Sequence, residues 1–212
     1  TLTEFLPGLG AYCTGRREIC NVAKGIEIDT GKRISEIVRE ILPVGLYSVL
    51  SGPSFAEEVA RGLPTAVTVA SGNEGSALFW QSLLNTSRLR IYTSHDVAGT
   101  ETGGAVKNIM AIASGLASSL GLGDNARAAL VSRGLAEIMR FGEALGAHPL
   151  TLAGLAGMGD LVLTCYSSQS RNFRLGMALG RGLSLEEARK EIGQVAEGAY
   201  TVRAVTEAAA SL

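Results

Sequence analysis

Between residues 19 and 93 short β-type runs alternate with helical stretches, and after residue 93 the β-type runs cease. Such alternation dictates an α/β layer whose strands are mainly parallel, because helical crossovers return the chain to the same end of the sheet. The runs are Ile19–Ala23, Tyr47–Leu50, Thr65–Ala70 and Leu89–Thr93. Between them, residues 32–42 place Ile34, Ile37, Val38 and Ile41 on one helical face. Residues 54–61 and 74–84 read as two further helices. Ser54, with Glu57 three positions on, has the form of a capping box.

The second part of the chain reads as helix throughout. Ser94 is placed to cap a helix running to about Leu120, with Asp96 in its first turn. Asp124 is placed to cap another that reaches Leu145, in which Ala128, Val131, Leu135 and Ile138 form one apolar face and Gly146 is the stop. Shorter helices follow near 158–166, 171–180, 184–192 and 198–211. The expected fold class is therefore α/β followed by all-α, with residues 1–93 as one domain and 94–212 as a second.

Charge excludes some function classes. Nineteen Lys and Arg stand against 20 Asp and Glu, which argues against a nucleic-acid partner. Cys13, Cys20 and Cys165 are scattered and form no CxxC pair, and His95 and His148 lack ligand-like neighbours, so neither a disulfide framework nor a metal site is expected. The uncharged run from Asn108 to Gly123 falls short of the ~20 apolar residues of a membrane span, so no span is expected.

Several short segments could carry chemistry. Gly8-Leu-Gly10-Ala-Tyr-Cys13 spaces two glycines like a dinucleotide loop, but Cys13 holds the third glycine's place and a helix-like segment precedes it. A phosphate loop of the Rossmann type is thus not expected. Lys24 ends the first strand, at the edge where open α/β sheets bind ligands, although on this segment alone a solvated surface lysine is the better reading. Gly52 would let a ligand approach the backbone beside Ser54.

The adjacent Gly103 and Gly104 lie deep in a predicted helix, where each costs ~1 kcal/mol relative to Ala. Close packing or a ligand is the reason to keep them, and Lys107-Asn108 follow directly. Glycine pair and buried cation together favour a functional Lys107 over one that snorkels to solvent. Asp160 and Thr164 lie one turn apart on a later helix, and Ser170-Arg171-Asn172 open the next. Free helix-start amides with an Arg fork suit a phosphate, and a capped surface helix is the competing reading. Glu197 is a lone carboxylate in a loop.

In order, "VAKGIE", "SGPSFAEEVARGLPTAV", "GGAVKNIMAIASGL", "NARAALVSRGLAEI", "GMGDLVLTC", "QSRNFRLG" and "GQVAEG" resemble successive segments of bacterial NAD(P)-dependent glycerol-3-phosphate dehydrogenases. The resemblance covers most of residues 19–205 and implies a partial Rossmann-like sheet plus a helical substrate domain. It implies interconversion of sn-glycerol 3-phosphate and dihydroxyacetone phosphate with NAD or NADP, in the cytoplasm, feeding phospholipid synthesis; it leaves a homodimer open.

By the same resemblance Lys107, Lys24 and Asp160 are catalytic. Lys24, Gly52, Ser54, Lys107, Asn108, Asp160, Thr164, Ser170, Arg171 and Asn172 contact substrate, and Lys24, Ala56, Arg171, Val195 and Glu197 contact cofactor. The family pattern opens with a strand–GxGxxG–helix unit and two further strands, and continues for several dozen residues beyond the match; neither part is in this sequence. A fragment is implied, expected to be inactive and aggregation-prone alone, with strand 19–23 at an unpaired edge. A 6-phosphogluconate- or 2-hydroxyacid-type dehydrogenase and a non-catalytic helical module are the alternatives. Retention of both Lys24 and Lys107 argues against the second.

Overall fold

The computed structural model describes residues 2–9, 18–28, 30–42, 46–193, 196 and 198–210. Helix α1 (Leu2–Leu9) precedes a four-stranded sheet, β1 (Glu18–Asn21), β2 (Leu46–Ser51), β3 (Thr65–Ser71) and β4 (Leu89–Ser94), ordered β1-β2-β3-β4. Helices α2 (Ile34–Ile41), α3 (Ala56–Ala60) and α4 (Glu74–Leu84) connect the strands. Strand parity assigns the faces. Tyr47, Val49 and Ala70 pack with Ile34, Ile37 and Val38 of α2, whereas Val67, Val69 and Ile91 pack with Ala77 and Trp80 of α4.

The sheet is mixed rather than uniformly parallel. β1–β2 and β3–β4 are parallel, but β2 and β3 run antiparallel, Ser48 opposite Ser71 and Ser51 opposite Thr68. The cause lies in α3. Its five residues rise only ~7.5 Å, well short of the ~20 Å length of a six-residue strand. The connection therefore turns back instead of crossing over.

After β4 the chain is helical: α5 (Val97–Ser119), α6 (Gly123–Ala144), α7 (Pro149–Leu152), a π-helical turn (Leu155–Gly159), α8 (Asp160–Tyr166), α9 (Arg171–Gly180), α10 (Leu185–Ile192) and α11 (Gly198–Ala210). Two expected caps move. Asp96, not Ser94, caps α5, its carboxylate accepting from Gly99 N at 2.7 Å; Ser94 Oγ instead accepts from Asp96 N. Asp124 lies inside the first turn of α6 and pairs with Arg127, while Leu122 is the N-cap.

Helix α5 is the axis of this half, and every residue from Gly99 to Asn108 is buried. It packs with α6 and α8 around Val106, Ala111, Val131, Ile138, Leu161 and Cys165. Its approach to α9 is as close as backbones allow. A Cβ on Gly115 would overlap the Phe173 carbonyl, and one on Gly176 the Ile112 carbonyl. That proximity brings the start of α9 to the middle of α5.

By length and composition the stretch Pro149–Tyr166 meets the requirement for a membrane span, at a mean hydropathy of 1.2. Asp160 interrupts it, so it is not one uncharged run. Here it is three helical pieces, and Leu152, Leu161 and Cys165 from it pack into the α5–α6 core.

A buried carboxylate ties the two parts together. Glu101 of α5 accepts from Ser35 N (2.9 Å) and Ser35 Oγ (2.6 Å) at the start of α2, and from Tyr47 Oη (2.6 Å) on β2; Arg33 Nη1 stands 3.7 Å away. Burial and the Glu101 charge push the Tyr47 phenol well above its usual range, so it stays a donor. Glu101→Ala leaves three buried donors without an acceptor, each costing ~1–3 kcal/mol. The expected loss is ~3 kcal/mol or more, read as a fall in the urea midpoint at unchanged slope.

Candidate active site

Two lysines share one carboxylate. Lys107 Nζ donates to Asp160 Oδ1 at 2.6 Å, and Lys24 Nζ to Asp160 Oδ2 at 2.5 Å. Asp160 is 2% exposed, so its charge depends on these partners rather than on water. Lys107 also donates to Thr164 Oγ1 at 2.8 Å, and the Thr164 hydroxyl proton is committed to the Asp160 carbonyl at 2.6 Å. Asp160 and Thr164 share one face of α8, so a single helix supplies both acceptors.

The glycines explain how the lysines meet. A Cβ on Gly104 would stand 2.8 Å from Ser51 Oγ and 3.4 Å from the Lys24 side chain, so the bare α-carbon lets Lys24 lie along α5. A Cβ on Gly103 would stand 2.6 Å from the Ala156 carbonyl in the π-helical turn. The extra residue per turn at 155–159 feeds directly into Asp160; single-turn π segments of this kind recur at functional sites.

Electrostatics follow from this packing. Burial, the largest influence, pushes the Lys107 ammonium down to about 8; Asp160 pulls it back up and Lys24 lowers it further. The shift brings the amine toward the range in which proton exchange at neutral pH is efficient.

These groups open into a cavity of about 260 Å³ lined by Lys24, Ser54, Ala56, Lys107, Asn108, Asp160, Thr164, Ser170, Arg171 and Asn172, joined by Val22, Phe55 and Gln169. The first ten are residues singled out from the sequence. Gly52 is not among the lining residues. A Cβ there would stand 3.0 Å from Val67 Cα, so its bare α-carbon accommodates β3 rather than a ligand. Val195 and Glu197 lie outside the described residues, as do Gly10 and Cys13 of the glycine pair near the start.

Ser54 does not cap a helix. α3 begins at Ala56 with Phe55 as its N-cap and no side-chain cap bond, and Ser54 Oγ donates to the Gly52 carbonyl at 3.1 Å. The Gly52-Pro53 turn holds Ser54 one residue too early for the capping box, and Ser54 lines the cavity instead. Ser170 does cap α9, accepting from Phe173 N at 3.2 Å. Asn172 Oδ1 accepts from Gly198 N at 2.9 Å and so anchors the start of α11. Arg171 is exposed at the cavity wall, and its side chain has no hydrogen bond or ion pair to another described residue.

Family models for the NAD-dependent glycerol-3-phosphate dehydrogenase C-terminus and N-terminus match residues 96–212 and 1–77 respectively. The chain belongs to the NAD-dependent glycerol-3-phosphate dehydrogenase family. Among its relatives are the glycerol-3-phosphate dehydrogenases (NAD(P)+) of Syntrophomonas wolfei, 52% identical over 100% of this chain, and of Thioalkalivibrio sulfidiphilus, 51% identical over 99%. The chain spans 63% of the length of each. The crystal structure of glycerol-3-phosphate dehydrogenase from Coxiella burnetii superposes with a TM-score of 0.95 at 42% identity, covering 99% of this chain and 64% of that one. These matches favour this family over the 6-phosphogluconate and 2-hydroxyacid alternatives and over a non-catalytic module.

Sequence reasoning missed Phe55, Val22 and Gln169 as cavity residues. Gln169 alone carried a signal, as the amide immediately before the Ser170-Arg171-Asn172 run.

Proposed function

We propose that this chain supplies the substrate site and part of the cofactor site of an NAD(P)-dependent glycerol-3-phosphate dehydrogenase, interconverting sn-glycerol 3-phosphate and dihydroxyacetone phosphate. Residues 1–93 are then part of the cofactor-binding domain and 94–212 the substrate and catalytic domain. The observation that carries this reading is the buried Lys107–Asp160–Lys24 cluster opening into one cavity with Arg171. A cytoplasmic setting, a homodimer and a role in supplying phospholipid synthesis accompany the proposal.

The lining residues fit both partners. Among the described lining residues Asp160 is the only carboxylate, and two ammonium groups pair with it. The remaining charge is cationic and suits a phosphate. The substrate phosphate sits on Arg171, Ser170 and Asn172, where a guanidinium fork and a helix start converge. Ser54 and Ala56, both small, line the same cavity as Lys24 and Arg171 and would leave room for the cofactor there. By the family resemblance Lys24, Ala56, Arg171, Val195 and Glu197 would contact the cofactor, while the sequence carries no GxGxxG for its pyrophosphate. When bound, the nicotinamide supplies or removes the hydride.

Lys107 handles the proton. Of its three N–H donors, Asp160 and Thr164 take two. The third is left to donate to the substrate oxygen on which negative charge develops, where the ammonium would stabilise that charge and supply the proton. In the reverse direction the neutral amine accepts it. Lys24 adds positive potential beside the same oxygen, and Asp160 orients both amines.

Two measurements test the proposal. Glycerol 3-phosphate at 100 times its dissociation constant should raise unfolding stability by ~2.7 kcal/mol, and the full-length protein should oxidise NADH with dihydroxyacetone phosphate. Absence of both effects refutes the assignment.

A further inference from the structure

The cavity has two facing walls near its mouth, and one hydrogen bond joins them. One wall is Ser54, Phe55 and Ala56, leading into α3; the other is Gln169 to Asn172, leading into α9. Two residues beyond Ala56, Glu58 Oε1 accepts from Gln169 Nε2 at 2.9 Å, across 111 positions of sequence. Gln169 is held out to make this contact. It sits in a tight turn in which Ser170 N donates to the Ser167 carbonyl (3.1 Å) and Gln169 N to Ser167 Oγ (3.1 Å). The next two residues are Ser170 and Arg171.

We infer that Gln169 is a positioning residue: bonded to Glu58, it closes the cavity rim and holds the Ser170–Arg171 segment in place over a bound phosphoester. The phosphoester part of this inference rests on the proposed function; the closure itself does not. The bond is solvent-exposed and α3 has no buried residue, so this contact is the one side-chain hydrogen bond that ties α3 to the 167–172 segment among the described residues. An exposed hydrogen bond is weak enough to open and reclose readily, as entry and exit of a ligand require. Glu58 itself does not line the cavity. Its influence on a ligand must therefore pass through Gln169, which makes the pair separable from a direct contact.

The test uses the full-length protein. Glu58→Ala and Gln169→Ala should each raise KM for dihydroxyacetone phosphate three- to tenfold with kcat changed less than twofold. The double variant should do no more than either single, and Glu58→Gln, which keeps an acceptor oxygen, should restore KM to within twofold. Without any ligand, amides of residues 167–172 should exchange with solvent at least threefold faster in Glu58→Ala. Unchanged exchange, or unchanged KM in Glu58→Ala, overturns the latch. Additive effects in the double variant also overturn it, because Gln169 then acts on the ligand alone. Faster exchange in a protein that does not turn over dihydroxyacetone phosphate supports the latch and removes the substrate assignment instead.

Discussion

Replacing Lys107 with Ala in the full-length protein should lower kcat by about 10³-fold while KM for dihydroxyacetone phosphate changes only a few-fold. A positioned general acid contributes ~10²–10⁴ in rate, and the same ammonium also stabilises developing charge. The phosphate contacts proposed at Ser170, Arg171 and Asn172 line the same cavity but do not include Lys107, so ground-state binding should persist. The pH dependence adds a sharper check. With Lys107 held at about 8, kcat/KM for ketone reduction should fall as pH rises through that value, because the ammonium is the donor. For alcohol oxidation kcat/KM should rise toward the same value, because the neutral amine is the acceptor. Steady-state kinetics in both directions decide the matter. An affinity loss with unchanged kcat, or limbs of the same sign in both directions, excludes proton transfer by Lys107.

Lys107 was legible in the sequence for a physical reason. Two glycines in a helix interior are costly, and they precede a lysine among apolar residues, so packing or a ligand had to explain them. The structure shows packing that makes room for the site, Gly104 against Lys24 and Gly103 against the π-helical turn. The helices and strands were legible because each obeys its own local period; α4 has the bounds that its sequence pattern gives. What stayed hidden depends on distant pairings. Nothing local distinguishes a strand that crosses over from one that turns back, and the five-residue α3 decides it for β2 and β3. Glu101 stands 66 positions from Ser35, and Glu58 stands 111 from Gln169. Glu101 carried one faint signal, as the single charge in the stretch from Val97 to Val106. Ser54 misled because its spacing to Glu57 mimics a capping box, while the Gly52-Pro53 turn sets a different helix start.

Asp160→Asn should be the most damaging single change to the cluster, in both stability and turnover. It removes the negative charge and one of the two acceptor oxygens shared by two ammonium groups, in a site where Asp160 is 2% exposed. Breaking a buried pair from one side costs ~3–5 kcal/mol. The sign of the pH dependence follows from linkage. Lys107 already has a folded-state pKa below that of the unfolded chain, so its burial opposes folding at low pH, and stability rises with pH between about 8 and the ordinary lysine value. Asp160 is the influence that holds Lys107 up, so without it the folded-state pKa drops below 8. The variant must then bury a less tolerated cation, or discharge it, at every pH below that point. Its stability deficit should therefore be larger at pH 6 than at pH 9, and the alkaline fall in ketone reduction should move to lower pH. Denaturant titrations of parent and variant at the two pH values measure the first effect, and pH–rate profiles the second. A deficit that is equal at both pH values, with an unmoved alkaline limb, means that Asp160 does not maintain the charge on Lys107.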